Sequence, residues 1–321
     1  MDAHAHGHGQ ADGDGRSYGR HGHGAVEGHT AQAAHPYGIE WAEQAEHLAR
    51  GAHADAGWAA ARARELLAPE DRVAVDIGSG GGAMTLALAS ALRAGQVVAV
   101  DVSAELLAEV TKRASAALSG SPVRVEATVA DLADGVGPLR EVLDGPADLV
   151  WASACVHHLG DQQAAVDGLA ALLAPGGRLA LAEGGLRAQH LPWDLGVGEP
   201  GLEARLALAM DRWFRGMRES LPGTARMPYG WTEALTRAGL GGVGTRSTLI
   251  ERSAPLGGEA RREIAGRLAH HVERLRPSGL VEPDDLAVWD ILLDESDSAW
   301  IGHRSDVFHL EVRSVHVGVR R

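Results

Sequence analysis

A glycine-rich turn between two apolar segments constrains this chain more than any other feature. The turn reads Asp76-Ile77-Gly78-Ser79-Gly80-Gly81-Gly82; the apolar run Val73–Val75 precedes it and the apolar run Ala83–Ala89 follows it. Glycine lets the backbone approach a ligand closely and adopt positive φ, and the start of a helix offers N–H groups that no helical carbonyl satisfies. The pattern therefore predicts a strand, a turn and a helix that together bind a nucleotide-like cofactor.

Strand and helix patterns alternate along the following hundred or so residues, which is typical of a parallel sheet with helices on both faces. Strands are predicted at Val73–Ile77, Gln96–Val100, Val123–Val129, Ala147–Ala152 and Arg178–Glu183, and helices at Met84–Arg93, Ala104–Leu118 and Gln162–Leu173. After Gly185 the rhythm changes. The patterns there predict strands at Val243–Glu251 and Val307–Val319, and helices at Leu202–Met217, Thr232–Ala238, 258–275 and 283–293.

The predicted fold class is α/β: a Rossmann-like, doubly wound, mostly parallel seven-stranded sheet whose last strand is antiparallel. N-terminal helices precede the sheet, and helical insertions follow strands five and six. We expect a disordered His- and Gly-rich tail at 1–35, a helical lid at 36–68, a cofactor-binding core at 69–185, and substrate-cap insertions with the last two strands at 186–321. The tail histidines could bind a metal, but a solubilising segment is the favoured interpretation.

Composition excludes some classes of function. The net charge of −13 disfavours binding to a nucleic-acid backbone, which usually requires a basic face. No apolar run is long enough to span a bilayer, and the N-terminus lacks the apolar core of a signal peptide. Cys155 is the single cysteine, so no internal disulfide can form. These features favour the cytoplasm as the compartment.

Three acidic residues help to choose the cofactor. Gly78, Gly80 and Ala83 satisfy the dinucleotide pattern G-x-G-x-x-G/A. Asp76 directly before the turn is unfavourable for a pyrophosphate and favourable for a ligand with an amino group. Asp101 ends strand two, where a carboxylate can bind the ribose hydroxyls of either cofactor, and Asp131 follows strand three, where it can accept a hydrogen bond from an adenine amino group.

With these residues in place, the chain resembles the class I S-adenosylmethionine-dependent methyltransferases, in particular the small-molecule subgroup that includes ubiquinone/menaquinone methyltransferases. The resemblance covers roughly residues 70–185. It rests on the glycine turn, on Asp101 and Asp131, and on the segments Asp148–Val150, Val156–Leu159 and Leu173–Gly177. It implies S-adenosyl-L-methionine as cofactor, bound by Asp76, Gly78, Ser79, Gly80, Gly82, Asp101, Val102, Asp131, Leu132 and Ser153. For Ser153, a packing role is an equal alternative.

The predicted function is methyl transfer to an oxygen, nitrogen or carbon nucleophile of a small molecule, with a secondary metabolite favoured. Direct attack on the sulfonium methyl needs a base only if the nucleophile must lose a proton. Candidate bases are His157, His158 and Glu183, and a structural role is the alternative for each. Other chemistry on the same cofactor, as in a cyclase or hydrolase, stays open, and an NAD-dependent oxidoreductase is disfavoured.

Aromatic and polar residues after strand five are candidates for the substrate pocket, because aromatic side chains with polar tips suit small-molecule sites. They are His190, Trp193, Trp213, Tyr229 and Trp231. His270 and His271 lie in a charged helix and are expected to face solvent. No metal and no membrane partner are expected, and a homodimer is left open.

Overall fold

The computed structural model describes residues 55–321, which lie in one compact unit. A single sheet has the strand order β3-β2-β1-β4-β5-β7-β6. Strands β1 to β5 are parallel, and β7 is antiparallel to both β5 and β6, which confirms the predicted fold class. The strands are β1 (Val73–Ile77), β2 (Gly95–Asp101), β3 (Val123–Val129), β4 (Ala147–Ser153), β5 (Leu173–Gln189), β6 (Gly241–Arg252) and β7 (His309–Val319).

Helices surround this sheet. Residues 55–66 are helical and are called α1 here. The remaining helices are α2 (Ala83–Ala91), α3 (Ala104–Ala117), α4 (Gly137–Val142), α5 (Gln162–Ala170), α6 (Leu202–Ser220), α7 (Trp231–Arg237), α8 (Gly258–Leu275) and α9 (Pro283–Leu293). Helix α4 was absent from the sequence prediction. The predicted tail and the first part of the predicted lid lie outside the described residues. No helix within residues 55–321 is both long and apolar enough to cross a bilayer.

Successive side chains of the central strands point to opposite faces of the sheet, and each face has its own hydrophobic core. Val75 and Val150 point to the face that α5 and α7 cover. Ala74 and Trp151 point to the opposite face, covered by α1 and α2. Every residue of β1 is buried as a result. This is why the strand reads as a continuous apolar run rather than as an alternating one.

Strand β5 is much longer than the predicted Arg178–Glu183. Gly184 and Gly185 resemble a turn in the sequence, yet the strand continues through them, with a register shift between Ala182 and Gly185 in its pairing with β7. Gly185 has φ 111°, and a Cβ atom there would lie 1.9 Å from the Val312 carbonyl oxygen. This bulge carries β5 and β7 beyond the parallel part of the sheet.

The long insertions after β5 and β6 form a helical cap with its own core. Apolar side chains of α6, α8 and α9 are buried together, among them Leu206, Ile264 and Trp289. Residues from the segment after β5 and from the segment before β7, such as Leu191 and Val307, complete this core. The cap therefore stands on the extended strands, beside the edge where the parallel strands end.

Candidate functional site

A cavity of about 570 Å³ separates the glycine turn from the cap. Helix α1, the turn, the end of β4, the β5 extension, α6, α8 and β7 all contribute to its lining. The volume falls in the range of small-molecule sites, roughly 300–1,000 Å³. Its position at the carboxyl ends of parallel strands is the usual location of ligand sites in open α/β sheets.

The glycine turn has little space for side chains. Gly78 has φ 64°, and a Cβ atom there would lie 2.9 Å from the Cys155 side chain. Gly82 has φ 77°, and a Cβ atom there would lie 2.7 Å from Val110. The Ser79 hydroxyl between them is buried without a hydrogen-bond partner in the described part of the chain. Because buried polar groups are normally paired, this hydroxyl is available for a ligand.

Asp76 lies at the base of the cavity and is 2% exposed. The Thr85 hydroxyl donates a hydrogen bond of 2.6 Å to Oδ2 of Asp76. Burial raises the pKa of Asp76 to about 7, although the Thr85 hydrogen bond opposes the shift. A cationic group beside this carboxylate would offset the burial. The site thus suits a ligand that carries an ammonium group.

The other two predicted acids lie at neighbouring strand ends, outside the lining of the cavity. Asp101 is buried, and its carboxylate accepts hydrogen bonds from the Gly80 and Ser103 N–H groups at 2.9 and 3.1 Å. Asp131 is exposed and accepts from the Ala133 N–H at 2.8 Å. Val102 and Leu132 directly follow these two acids.

Cys155 marks where the carboxylates converge. Burial is the largest cause that raises the pKa of its thiol to about 12. The negative charges of Glu183, Asp101, Asp76 and Asp131 raise it further, in that order. The acids predicted from separate strand ends are therefore close enough to act on one atom.

Glu183 anchors the loop that follows β4. Its Oε1 accepts hydrogen bonds from the Cys155 and Val156 N–H groups at 3.0 and 2.8 Å, and its Oε2 lies 2.5 Å from Nδ1 of His157. The rings of His157 and His158 are 4.1 Å apart, and both contact Phe214. None of the three candidate bases belongs to the cavity lining, whereas Ser153 does. Their contacts support the structural alternative.

The predicted pocket aromatics lie elsewhere in the described structure. Trp193 is 71% exposed. Trp213 packs against the core of the cap, and Tyr229 and Trp231 pack against the core of the sheet on the α5 side. The Tyr229 hydroxyl donates to Oε1 of Gln163 at 3.0 Å. Aromatic composition carries no information on which face of an element each ring occupies.

His190 does line the cavity and is 3% exposed. Its Nδ1 lies 2.8 Å from Oε1 of Glu203, while its Nε2 is buried without a hydrogen-bond partner in the described structure. Sequence reasoning missed several other lining residues. These residues form a helical stripe on α6 and charged positions on α8 and β7. They are Glu203, Leu206, Ala207, Met210, Arg267, His271, Glu311 and Arg313.

His271 is a correction to the sequence analysis, which placed it in solvent. It lines the cavity, and burial lowers its pKa to about 4. The neighbouring His270, Arg274, Arg267 and His190 lower it further. In the part of the chain that the structure describes, no group of three or more His, Cys, Asp or Glu residues is arranged to hold a metal ion.

Comparison with known proteins gives a family match for the core. Residues 75–179 match a family model described as a methyltransferase domain. No match was found among curated proteins. Similar solved structures include the YcgJ protein of Bacillus subtilis, with 17% identity and a TM-score of 0.44 over 84% of this chain and 99% of that one. Another is phosphoethanolamine N-methyltransferase 2 of Haemonchus contortus with S-adenosyl-L-methionine, with 16% identity and a TM-score of 0.44 over 82% of this chain and 52% of that one.

A third similar structure is the [4+2]-cyclase SpnF, with 16% identity and a TM-score of 0.40 over 81% of this chain and 80% of that one. Likeness at this level carries no argument about activity.

Proposed function

We propose that the protein, whose residues 75–179 match a methyltransferase-domain model, is a class I S-adenosylmethionine-dependent methyltransferase that methylates a small molecule bound beneath its cap. The observation that supports this proposal is the shared cavity, which the glycine turn lines on one side and α6 and α8 line on the other. When bound, S-adenosylmethionine supplies an electrophilic methyl group on a sulfonium sulfur. The task of the protein is then to bind, orient and shield both ligands.

The glycine turn fits the amino-acid end of this cofactor. The unpartnered Ser79 hydroxyl and the turn backbone would hold its carboxylate end, and Asp76 would lie near its ammonium group. Asp101 would accept from the ribose hydroxyls, since a carboxylate oxygen can accept more than one hydrogen bond. Asp131 would read the adenine amino group, with Val102 and Leu132 beside the ring. Gly78, Gly80 and Gly82 would allow the close approach.

The cap would bind the methyl acceptor and exclude water. Leu206, Met210 and Leu268 supply apolar surface, and His190 and Arg267 supply polar groups. Such a lining suits a partly apolar small molecule, and a secondary metabolite is the favoured class. The net charge of −13 disfavours a nucleic-acid acceptor. The ubiquinone/menaquinone subgroup and a cytoplasmic location remain predictions.

A cyclase or hydrolase that keeps the cofactor is the second candidate, because a binding site alone does not fix the reaction. An oxidoreductase that uses NAD is disfavoured by the buried carboxyl of Asp76 at the turn. Products formed with methyl-labelled cofactor distinguish these classes. Label in a small-molecule product supports methyl transfer, and conversion of an acceptor without label supports the second candidate.

Calorimetry tests the cofactor assignment directly. S-adenosylhomocysteine should bind the purified protein, and NAD should not. Asp101→Ala should weaken binding at least tenfold while the protein stays folded. Asp144→Ala is the control, because Asp144 lies before β4 at the opposite edge of the sheet, exposed and paired with Arg124. Wild-type affinity in a folded Asp101→Ala protein would refute the ribose role, and binding of NAD alone would refute the function.

A further inference from the structure

His190 has one ring nitrogen that is firmly held and one that is left without a partner. Nδ1 lies 2.8 Å from Oε1 of Glu203. A carboxylate only accepts hydrogen bonds, so the proton of the neutral ring belongs on Nδ1. Nε2 then carries a free lone pair, and it is buried with no hydrogen-bond partner among residues 55–321. A buried acceptor of this kind is unfavourable unless a ligand supplies the donor.

Glu203 fixes the orientation of this ring. Its carboxylate also accepts from the His190 N–H at 3.0 Å and from the Leu191 N–H at 2.9 Å. Glu203 stands in the first turn of α6, and His190 directly follows the end of β5. Helix and strand are thus joined at one carboxylate, which holds the imidazole in a single position.

His190 belongs to the same cavity as the glycine turn. Glu203 and His190 line it from the cap side, while Asp76, Ser79 and Ser153 line it from the sheet side. A small molecule in this cavity can therefore contact Nε2 while another part of it faces the cofactor site. A neutral imidazole oriented by a carboxylate is the arrangement that many enzymes use to remove a proton.

The free lone pair on Nε2 favours a hydroxyl acceptor, because a hydroxyl oxygen attacks well only as its proton leaves, whereas a neutral amine has a lone pair before it loses a proton. The charged groups around the ring are largely paired with one another. On α8, Arg267 is paired with Glu263 at 3.1 Å, and burial lowers the pKa of His271 to about 4. From β7, His309 lies 5.2 Å from the His190 ring between centroids, and Glu311 is paired with Arg313 at 3.0 Å. Nε2 of His190 can therefore take the proton of a hydroxyl acceptor.

We propose that His190 is the general base of an O-methyltransferase, with Glu203 as its positioning residue and an alcohol or phenol as the acceptor. This proposal rests on the proposed function. The acceptor O–H bond breaks and its proton moves to Nε2, so that the ring becomes an imidazolium paired with Glu203. The electron pair that stays on oxygen forms the bond to the methyl carbon, whose bond to sulfur breaks with both electrons left on sulfur. The imidazolium releases its proton to solvent when the product leaves.

The protonation of the ring can be measured without an acceptor. In histidine-¹⁵N-labelled protein saturated with S-adenosylhomocysteine, the His190 signals are those missing from His190→Gln. We expect the proton on Nδ1 and a free lone pair on Nε2. Glu203→Gln should move the proton to Nε2, because the glutamine amide can donate to Nδ1. A wild-type ring protonated on Nε2, alone or together with Nδ1, would overturn the proposal.

Activity gives the second test. Tritiated-methyl S-adenosylmethionine is offered with phenol, benzyl alcohol, benzylamine and thiophenol. Label is expected in the hydroxyl compounds. With the best acceptor, His190→Gln and Glu203→Gln should each lower kcat by about 10²–10⁴-fold and leave the affinity for S-adenosylhomocysteine within twofold. His303→Gln is the control, because His303 is exposed on the cap.

These outcomes distinguish failure of the base assignment from failure of the proposed function. Transfer to the amine or thiol in place of the hydroxyl compounds, or a wild-type kcat in His190→Gln, would overturn the base assignment and leave methyl transfer standing. A wild-type protein that binds no S-adenosylhomocysteine would instead refute the proposed function. If none of the four probes is methylated, the ring tautomer decides the assignment.

Discussion

Asp76 gives the cofactor site a pH dependence that a single substitution can remove. Its pKa is raised by burial from 3.8 to about 7 in the free protein. An ammonium group beside it binds the ionised form, so cofactor binding should release a proton below pH 7. We expect S-adenosylhomocysteine to bind about tenfold more weakly at pH 6 than at pH 8. Calorimetry in buffers of different ionisation enthalpy measures both the affinity and the released proton.

Asp76→Asn is the matched variant, since the amide keeps the shape and cannot ionise. This variant should bind S-adenosylhomocysteine weakly, with nearly the same affinity at pH 6 and pH 8. The folded protein without ligand holds the Asp76 proton more tightly than the unfolded chain does, so the wild type loses stability as pH rises from about 4 to 7. The variant should lack this loss, which amounts to at most about 4 kcal/mol. Equal wild-type affinities at the two pH values would contradict the ammonium contact.

Most of the cavity residues that could be predicted from sequence sit in a local motif. Asp76, Gly78, Ser79 and Gly80 follow from one turn, and all four line the cavity. Other lining residues come from elements far apart in the chain, and their meeting depends on how the cap packs. The stripe on α6 at positions 203, 206, 207 and 210 has helical spacing, yet a glutamate within it reads as a solvated side chain.

At the scale of elements, the bulge in β5 determines whether the strand reaches the cap. Gly185→Ala would place a Cβ atom 1.9 Å from the Val312 carbonyl oxygen, on a residue with φ 111°. Backbone must move there, so we expect the free energy of unfolding to fall by more than about 3 kcal/mol. Chemical denaturation measures the loss. Displacement of the strand should also disturb His190, which lies at its end.

Gly184→Ala separates backbone strain from the clash. Gly184 has φ 71°, and a Cβ atom there would have no neighbour within 4 Å. The cost should be only the left-handed conformation, about 1–2 kcal/mol. Equal losses in the two variants would show that the close approach to β7 contributes nothing.

The ends of a strand could be predicted from sequence where polar or turn-forming residues bound a buried run. The prediction for β1 and β3 matches the structure at both ends, because a polar or turn residue lies within two positions of each end of the apolar or alternating run. For β5 the same rule failed. Two glycines normally end a strand, but here they form a bulge whose partner strand is more than a hundred residues away. A pairing at that distance leaves no local signal in the sequence.

At the scale of the whole molecule, β5 and β7 join the cap to the sheet. Both strands pair with each other within the parallel part of the sheet and again at Gln189 and Leu310, beside the cap. The cap core and the sheet core therefore share continuous backbone. Loss of either core should destabilise the same hydrogen-bonded ladder, and we expect the two parts to unfold together.

Two substitutions test this coupling. Ile264 in the cap and Leu169 on the α5 face of the sheet are both completely buried. Ile264→Ala and Leu169→Ala should each lower the free energy of unfolding by about 2–5 kcal/mol, in one transition by circular dichroism and fluorescence. S-adenosylhomocysteine at 100 times its Kd should raise the free energy of unfolding of both variants by about 2.7 kcal/mol. If Ile264→Ala instead gives two transitions, of which only one responds to the ligand, the cap is a separate folding unit.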